Sequence, residues 1–573
     1  MRKSVLLVAC VLALAPTLSP AWSISSVFRG GNDSDSASGS GSANASNISD
    51  VALEQPLLKA TDWFLTEEEI TESRGGSPRS DMATYSTGNS VTTFTVTKEF
   101  FDSVYEDLST TVESDRVMLA AWDTDLIPFT PDVDPTGAKS NFDVVFGGIV
   151  KRGGDVKILT WTNKFLFFQD IAARNKINKL PSSGINDADA LFIFDDRLPY
   201  TMSSHHQKTL VIAASNASGA DDHPVAYVGG IDLSNDRWDT IHHNATAIRK
   251  ASGVHFRNNG WVDSSLRIHG PAAKDVANNF LDRWNSPYLP AQSLGDDVVD
   301  FKNPKYSYLP PIDYASSNTT SKLGQQNVQI VRTFSCKYKH WEFAPYGETS
   351  LFQARIKAIK NAKNFIYIED QYFILVPELL DALMEVLPRL QRLVVVVEPP
   401  EMITRIGGYE RYLYENVQPL KEKFPDKFKI YTMKKKLGIY IHSKLVVIDD
   451  VYLSDGSANW NRRSMTSDPE LNANIVDDDH VKSPDGVTVG KLVRDFRIRK
   501  FQEMTGLSYD KLDAMRFVAA AEEFENAAAS ESSLIQTFEV DKELYYDVFN
   551  DDVHQTIDPM DVCGGSSPAS ASA

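Results

Sequence analysis

The sequence predicts an α/β protein built from two similar lobes in one chain. Patterns typical of buried strands and of amphipathic helices alternate along most of the chain, which favours a mixed or parallel sheet packed between helices. The length of 573 residues exceeds one typical hydrophobic core and suggests two large units. An H-x-K pattern is also repeated, because His206–Lys208 returns as His442–Lys444 after 236 residues (442 − 206). The repeat predicts one copy of the same unit in each half.

Local hydrophobic periodicity predicts the individual elements. The first half should contain strands at 117–122, 155–161 and 208–213, and helices at 142–151 and 271–284. The second half should contain strands at 328–332, 365–369, 393–397 and 429–432, and helices at 348–363, 410–417 and 491–503. Residues 393–397 form a continuous apolar run, so we expect this strand inside a sheet that is covered on both faces.

Residues 1–21 have the features of a secretory signal peptide. Arg2 and Lys3 precede an apolar run at 5–15, and small residues at 19–21 suit a cleavage site. The run is short for a membrane anchor, although an uncleaved anchor stays the alternative, and no later stretch is apolar enough to span a bilayer. Several N-x-S/T triplets agree with a secreted glycoprotein; they begin at Asn32, Asn44, Asn47, Asn216, Asn244 and Asn318.

Composition divides the rest of the chain. Residues 22–80 are rich in Ser, Gly, Asn and Asp and predict a disordered leader. A first lobe is expected at 81–300, a linker rich in Pro, Ser and Asn at 301–325, and a second lobe at 326–530. The tail at 531–573 is acidic at first and then small and polar.

The net charge and the number of cysteines argue against two classes of function, nucleic-acid binding and metal binding by a cysteine cluster. The formal net charge is −19, and such an acidic protein does not attract nucleic acid by long-range electrostatics. Once a signal peptide is removed, Cys336 and Cys563 remain. Two cysteines are too few for a metal-binding cluster, but they allow one disulfide.

The two H-x-K patterns carry the chemical signal. Each pattern enters a buried strand, where residues two apart point to the same face, so His442 and Lys444 share a face. Asp449 lies seven residues after His442 and should point to the other face or cap the strand end. The small and polar run at 456–459 lets the backbone approach a ligand closely. A histidine, a lysine and an amide that converge on one pocket fit a phosphate group.

The segments that flank these patterns resemble a known family. SHHQK is followed by YVGGIDLSNDRWDT in the first half, and YIHSKLVVIDD is followed by GSANWNRRSM in the second, with IYIEDQYFI upstream. Together they resemble the phospholipase D superfamily, in its eukaryotic phospholipase branch, over roughly residues 115–500. One H-x-K pattern alone would be a weak signal, whereas two with these flanks are specific. The resemblance implies two α-β-α sandwich lobes related by a pseudo-two-fold axis, with the active site at their interface.

The resemblance also implies a division of roles. His206 would attack phosphorus and form a phosphohistidine, and His442 would protonate the leaving alcohol and then activate water. Lys208 and Lys444, with Asn459, would hold the non-bridging oxygens and balance charge in the transition state. Neither a cofactor nor a metal is expected, because the two lysines neutralise the charge.

Five further residues match family positions. Asp239 and Glu470 match the carboxylates that orient the two imidazole rings. Asp232 and Ser457 match loops that line the substrate site, although Asp232 could equally cap a turn. Asp449 completes the second H-x-K-x-x-x-x-D motif, and the resemblance implies that it belongs with the catalytic residues.

Two positions depart from the family pattern. Ala213 stands where the first motif has Asp, seven residues after His206, and Arg462 replaces an acidic or polar residue. The Asp position should support the strand end rather than touch phosphate, so we expect an active enzyme despite Ala213. We also expect Ala213→Asp to change rate or stability only modestly.

These observations favour a secreted phospholipase D that hydrolyses glycerophospholipids to phosphatidic acid and a headgroup alcohol, with headgroup exchange when another alcohol replaces water. It would act as a monomer on phospholipid at a membrane or vesicle surface. A nuclease or other phosphodiesterase of the same superfamily is one alternative. A lipid-binding protein that keeps the fold but has lost turnover is another, and Ala213 is its support.

Overall fold

One 15-stranded sheet runs through the part of the chain that can be described. The structure is a computed structural model that describes the following residues: 52–162, 168–200, 202–214, 224–290, 307–311, 323–401, 408–540 and 551–562. Those from Leu53 onward belong to one compact unit. The predicted signal peptide lies outside the described residues.

The strands alternate with helices through both halves of the chain. The strands are β1 (Ser86–Phe94), β2 (Asp115–Ala121), β3 (Asp155–Trp161), β4 (Ala190–Asp195), β5 (Thr209–Ala214), β6 (Val225–Gly229), β7 (Gly260–Val262), β8 (Ser265–His269), β9 (Gln326–Thr333), β10 (Phe365–Asp370), β11 (Arg392–Val397), β12 (Phe428–Met433), β13 (Ile439–Ile441), β14 (Lys444–Ile448), β15 (Tyr452–Gly456), β16 (Glu470–Asp477), β17 (His480–Lys482), β18 (Thr488–Gly490) and β19 (Ile535–Thr537). The helices are α1 (Ala60–Trp63), α2 (Glu67–Ser73), α3 (Thr97–Ser109), α4 (Phe142–Lys151), α5 (Phe168–Ile177), α6 (Thr246–Ala251), α7 (Pro271–Trp284), α8 (Ser350–Asn361), α9 (Pro377–Val386), α10 (Tyr409–Lys423), α11 (Arg462–Thr466), α12 (Lys491–Thr505), α13 (Tyr509–Asp513), α14 (Phe517–Ala529) and α15 (Asp551–Ile557). A 3₁₀ turn spans Lys435–Leu437. The elements predicted from periodicity are present, with ends that shift by a few residues.

The sheet has the same pairing pattern on both sides of its centre. Its order is β19-β12-β11-β10-β14-β15-β16-β9-β1-β8-β6-β5-β2-β3-β4. From β1 outward, four antiparallel pairings lead to β2, and two parallel pairings lead on to β4. From β9 outward, four antiparallel pairings lead to β10, and two parallel pairings lead on to β12. The predicted mixed α/β class is therefore confirmed.

Helices cover both faces of the sheet, as the apolar strands require. On one face, α7, α12 and α14 share a single hydrophobic core that includes strands of both halves. The other face has two cores, one under α3 and α4 and one under α8, α9 and α10. All six residues of β11 are buried, as the apolar run predicts.

The prediction of a disordered leader is wrong from Ala52 onward. Trp63 is completely buried and stacks on Tyr452 with ring centroids 5.4 Å apart. Phe64 and Leu65 enter the same second-half core. Thr66 then begins α2 with a capping box. A few large apolar side chains, widely spaced in a polar segment, are enough to fix this part of the chain on the core.

The C-terminal region adds structure beyond the predicted second lobe. β19 pairs with β12 and forms one edge of the sheet, and α15 lies in a segment at 551–562 that packs near Cys336. Cys336 is disulfide-bonded, whereas its predicted partner Cys563 lies outside the described residues. Asn244 is exposed, and the other N-x-S/T asparagines lie outside the described residues. Within the described ranges, no helix has the length and apolar character needed to cross a bilayer.

Candidate active site

A short parallel pairing between the two halves creates the site. β7 pairs with β13 so that Val262 stands opposite Ile441. The pairing continues for one more hydrogen bond, in which the backbone N–H of His442 donates to the carbonyl of Val262 at 2.8 Å. The next residue, Asp263, is thereby placed beside the His442 ring. In the same way, the N–H of His206 donates to the carbonyl of Pro469 at 3.0 Å, which places Glu470 beside His206.

The His442 ring is held by Asp263. Its Nδ1 lies 2.7 Å from Oδ2 of Asp263, and the two side chains are 8% and 0% exposed. The same carboxylate accepts hydrogen bonds from Nε1 of Trp261 at 3.2 Å and from the N–H of Ser264 at 2.9 Å. Trp261 also packs on the His442 ring, with centroids 5.0 Å apart. These contacts fix the ring so that Nδ1 carries the proton and Nε2 is free to react.

The His206 ring is held by Glu470. Nδ1 lies 3.0 and 3.1 Å from the two carboxylate oxygens. The hydroxyl groups of Ser457 and Ser464 donate to the same carboxylate at 2.5 and 2.6 Å. Glu470 is fully buried, while the His206 side chain keeps 13% exposure. His206 therefore presents Nε2 towards open space from a rigid support.

Asp263 and Glu470 occupy equivalent positions in the sheet. Ser265 pairs with Gly229 at the end of β6, and Asn472 pairs with Gly456 at the end of β15. Each carboxylate stands two residues before that pairing. At Gly230 a Cβ would overlap the Asp263 carboxylate, which explains why the first copy has glycine where the second has Ser457. This repeated placement is the sequence signal that could have identified Asp263.

The prediction that Asp239 orients a reactive imidazole is wrong. Its Oδ2 instead accepts from Nδ1 of His243 at 2.7 Å and from the N–H of Trp261 at 2.8 Å. The reason is its position before β7: it anchors the start of that strand, and Asp263 at the strand end reaches His442. Asp239 thus supports the strand that delivers the orienting carboxylate.

The two lysines lie beneath the histidines on the same strand faces, as the period of two predicts. Lys208 Nζ donates to the carbonyl of His206 at 3.0 Å and lies 3.4 Å from Asp232. Lys444 Nζ donates to the carbonyl of His442 and to Oε1 of Gln371, the latter at 3.1 Å. Both lysines are buried, so the positive charge that they carry stands close to the two rings in a region of low dielectric.

Burial and these charges set the protonation states. Burial, followed by the neighbouring lysine, holds the pKa of His206 and that of His442 well below the usual range. Burial lowers the pKa of Lys444 to about 7 and raises the pKa of Glu470 to about 7. The two imidazoles are therefore neutral at pH 7 in the free protein. An anion bound between them would favour protonation of either ring.

Both rings face a cleft made of two adjoining cavities of about 230 and 170 Å³. Trp122, Gln371 and His442 line both cavities, and His206 lines the larger one. The amide of Asn459 also lines the larger cavity, and its buried Oδ1 has no protein partner. The Asn459 amide and two neutral imidazoles thus line the same cleft, and a phosphate oxygen there would accept from Nδ2 of the amide and not from Oδ1.

Asp232 and Ser457 do not line either cavity among the described residues, contrary to the prediction. Ser457 is fully buried and its hydroxyl donates to Glu470, so it supports the carboxylate that holds the His206 ring. Asp232 accepts from the N–H of Trp122 at 2.9 Å and faces Lys208. Its role is to fix Lys208 and the start of the loop after β2.

The prediction that Asp449 belongs with the catalytic residues is wrong, because its carboxylate caps the end of β14 instead. Asp449 has a φ of +55° in the turn after β14. Its carboxylate accepts the N–H groups of Lys363, Asn364 and Phe365 at 2.6–2.8 Å, which fixes the loop before β10. Because the turn carries it away from the faces of His442 and Lys444, it holds the strand end and does not reach the cleft.

The first half has no carboxylate at the position that corresponds to Asp449, and other contacts hold the loop before β2. Ala213 lies within β5 opposite Arg116 and is 1% exposed in the shared core. The loop before β2 is held instead by Asp115, whose Oδ2 accepts from the N–H of Val112 at 2.7 Å. The missing motif Asp therefore leaves the geometry at His206 and Lys208 intact.

Comparison with protein families places both motif segments in one group. A profile described as "Phospholipase D" matches residues 176–379, and one described as "Cardiolipin synthase, PLD-like domain" matches residues 356–485. The first segment contains His206, and the second contains His442. A solved phosphatidylserine synthase from Haemophilus influenzae Rd KW20 aligns over 81% of this chain and 91% of its own, with 14% identity and a TM-score of 0.46.

Curated relatives agree with the profiles. A phospholipase D alpha 1 of Cynara cardunculus is 24% identical in an alignment of 452 positions that covers 58% of this chain and 55% of the relative. Phospholipase D A of Dictyostelium discoideum is 25% identical in an alignment of 374 positions that covers 53% of this chain and 27% of the relative. Phospholipase D gamma 2 of Arabidopsis thaliana is 31% identical in an alignment of 205 positions that covers 30% of this chain and 24% of the relative. The chain thus spans about a quarter to about half the length of these relatives. Matched at both motif segments, the chain belongs to the phospholipase D superfamily.

Proposed function

We propose that this protein is a phospholipase D, a phosphodiesterase that hydrolyses glycerophospholipids to phosphatidic acid and a headgroup alcohol. The observation that carries the proposal is the pair of neutral imidazoles, each fixed at Nδ1 by a buried carboxylate of the other half of the chain, facing one cleft above two buried lysines. A phosphodiester needs a nucleophile, an acid for the leaving oxygen and positive charge near its oxygens. The described site contains all three.

The first step forms a covalent intermediate on His206. Nε2 of His206 attacks phosphorus, the bond from phosphorus to the headgroup oxygen breaks, and His442 gives that oxygen a proton from Nε2. His442 is neutral in the free site, so it gains this proton once the anionic substrate offsets the charges of Lys208 and Lys444. Glu470 stabilises the positive charge that develops on the attacking ring.

The second step releases the lipid product. His442, neutral after the first step, takes a proton from water, and the water oxygen attacks phosphorus. The bond from phosphorus to Nε2 of His206 breaks, and the product is phosphatidic acid. A primary alcohol in place of water would give headgroup exchange. The amide of Asn459 and the two lysines stabilise the phosphoryl group through both steps.

Lipid as substrate is favoured by the acidic chain and by the names of the curated relatives. A net charge of −19 disfavours a nucleic-acid polyanion. All three relatives described above are named phospholipase D. We further propose that the two halves are similar lobes related by a pseudo-two-fold axis, which the repeated strand pairing supports. We also propose that the protein is secreted, glycosylated and monomeric.

Product analysis tests the substrate class. Purified protein is incubated with mixed phospholipid vesicles with and without a primary alcohol, and in parallel with single-stranded DNA. Phosphatidic acid, replaced in part by the alcohol ester, is the expected product. Cleavage of DNA without lipid turnover would favour the nuclease alternative. Lipid binding with no product from either substrate would favour a degenerate binding protein.

Mass spectrometry after an alkaline quench tests the covalent step, because acid hydrolyses the P–N bond of a phosphohistidine. The phosphoryl adduct is expected on His206 in a short reaction and should be absent in His206→Ala. His340→Ala, which changes an exposed histidine, is the matched control and should retain the adduct. An adduct on His442 would reverse the two roles.

A further inference from the structure

The C-terminal segment at 551–562 binds the start of helix α11 through one buried carboxylate. The N–H groups of Arg462 and Arg463 donate to the side chain of Asp558 at 3.3 and 2.8 Å. Nε and Nη2 of Arg462 donate to the carbonyl of Asp558 at 3.0 and 2.8 Å. Asp558 is completely buried. Because the first N–H groups of a helix have no partner within the helix, Asp558 fixes this turn from outside.

Helix α11 in turn supports the carboxylate behind His206. Asn461 caps the helix by accepting from the N–H of Ser464 at 3.0 Å. The Ser464 hydroxyl donates to Oε1 of Glu470 at 2.6 Å, and Glu470 holds Nδ1 of His206. Direct contacts therefore lead from Asp558 through one helical turn to the proposed nucleophile. No corresponding chain of contacts leads to Asp263 among the described residues.

The segment also fixes a side chain on the cleft wall. Arg463 lines the larger cavity, and its Nη1 donates to the carbonyl of Ile557 at 2.9 Å. Its Nε donates to Asp468, another residue of that wall, at 2.7 Å. The guanidinium of Arg463 thus bonds both to the C-terminal segment and to the wall of the cleft. The departure of Arg462 from the family pattern has the same explanation, because its guanidinium pairs with the tail.

Other contacts hold the segment in place independently of Asp558. The His554 ring stacks on Tyr412 with centroids 3.5 Å apart. The N–H of Asp561 donates to Oγ1 of Thr466 at 3.0 Å, and the Asp561 carboxylate accepts from Ser335, next to the disulfide-bonded Cys336. Replacing Asp558 alone should therefore leave the tail docked while it removes the two hydrogen bonds of its carboxylate to the first turn of α11.

We propose that Asp558 is a positioning residue for His206: it acts through α11, Ser464 and Glu470 to hold the imidazole in line with phosphorus. This inference rests on the proposed function. It assigns to the C-terminal segment a part in the first chemical step and no part in the protonation by His442. Loss of a distant supporting contact of this kind is expected to slow the step about tenfold, at the lower end of what the loss of an outer-shell contact costs.

The test compares wild type, Asp558→Ala, Ser464→Ala and the double variant in single-turnover experiments on phosphatidylcholine vesicles. Asp558→Ala should slow formation of the phosphohistidine about tenfold, change KM less than twofold and leave the melting temperature of the core within a few degrees. The effects of Asp558→Ala and Ser464→Ala should not add, since one acts through the other. Gln555→Ala, an exposed change on the same segment, is the matched control and should behave as wild type.

A second readout needs no turnover. Diethyl pyrocarbonate modifies neutral imidazole, and mass spectrometry gives the rate at each histidine. In Asp558→Ala the loosened His206 should be modified severalfold faster, with His442 unchanged. If that variant does not fold, Arg462→Ala removes the side-chain bonds to the Asp558 carbonyl and the ion pair with its carboxylate, and we expect smaller changes of the same kind.

Distinct outcomes separate this inference from the proposed function. The positioning role would be overturned if folded Asp558→Ala forms the phosphohistidine at the wild-type rate and His206 is modified at the wild-type rate. Arg462→Ala takes the place of Asp558→Ala in this test if the latter does not fold. Additive effects with Ser464→Ala would overturn the route through α11. A wild type that forms no phosphohistidine would refute the proposed function, and the modification rates would still decide whether Asp558 holds His206.

Discussion

Nδ1 of His442 lies 2.7 Å from Oδ2 of Asp263, a residue 179 positions earlier in the chain. The reverse arrangement joins His206 to Glu470, which lies 264 positions later. Each imidazole of one half is therefore held by a carboxylate of the other half. Neither half contains a complete pair, so the site exists only when both halves are folded against each other and β7 pairs with β13.

The first prediction concerns the two aspartates near β7. Asp263→Asn should lower kcat at least about 100-fold, because an amide cannot hold the imidazolium and can impose the wrong tautomer, as in other His–carboxylate pairs. Asp239→Asn should cost less than about tenfold, since it acts only through the backbone of Trp261. Steady-state kinetics on the same vesicles checks this order, with melting curves as the folding control. A larger loss in Asp239→Asn than in Asp263→Asn would contradict the assignment.

The second prediction concerns the second motif. His442→Asn should abolish most turnover by removing the acid, and Lys444→Ala should do so by removing a charge from the transition state. Lys444 is buried in the site, so Lys435→Ala, an exposed change in the nearby 3₁₀ turn, is the matched control. Rates and circular dichroism are measured together. Near-normal turnover in either site variant, with purity controlled, would exclude the proposed role.

The third prediction tests the packing of the segment at 52–80. The buried Glu348 carboxylate accepts from Arg332 at 2.8 Å and from Arg74 and lies 3.4 Å from Arg79, so it ties this segment to β9. Glu348→Gln removes the negative charge from three buried guanidinium groups. We expect a loss of about 3–5 kcal/mol in the free energy of unfolding at pH 7. Glu342→Gln, an exposed change on the same loop, should be neutral.

The difference in the free energy of unfolding between wild type and Glu348→Gln should depend on pH, and the direction of this dependence follows from the pKa of Glu348. Burial opposes ionisation of Glu348, but the arginines outweigh it and hold its pKa below the ordinary value of 4.5. A lowered native pKa stabilises the fold above the ordinary pKa, and this contribution is lost as pH falls through the native pKa. The stability difference between wild type and Glu348→Gln should therefore be constant above pH 5 and shrink below pH 4.5. Denaturant titrations at several pH values measure it, and a difference that grows on acidification would contradict the ion cluster.

The fourth prediction concerns Ala213. The sequence alone suggests a modest effect for Ala213→Asp, but the side chain is 1% exposed in the core, where burial of a carboxylate costs more than an ion pair with Arg116, opposite it in β2, would return. We now expect the substitution to lower the free energy of unfolding by more than about 2 kcal/mol, with no gain in turnover of the folded protein. Ala213→Ser is the control for size without charge. An inert wild type that Ala213→Asp activates by orders of magnitude would instead support the degenerate binding protein.

Local pattern determined much of this protein. The α/β class, the helices at 142–151 and 271–284 and the buried strand at 392–397 follow from periodicities of 3.6 and 2 residues, which neighbouring side chains impose. The shared faces of His206 with Lys208 and of His442 with Lys444 follow from the same period of two. Glu470 was predicted from the family resemblance, and the structure places it on His206.

Tertiary structure decided which groups surround those residues. Asp263 and not Asp239 reaches His442, because the pairing of two three-residue strands from different halves sets the register at that point. The turn after β14 carries Asp449 away from the cleft, and Ser457 faces Glu470 because the ends of β15 and β16 meet there. Such contacts join residues far apart in the chain, and no local periodicity encodes them. Local periodicity therefore assigns the strand faces, and long-range packing determines which carboxylate meets which imidazole.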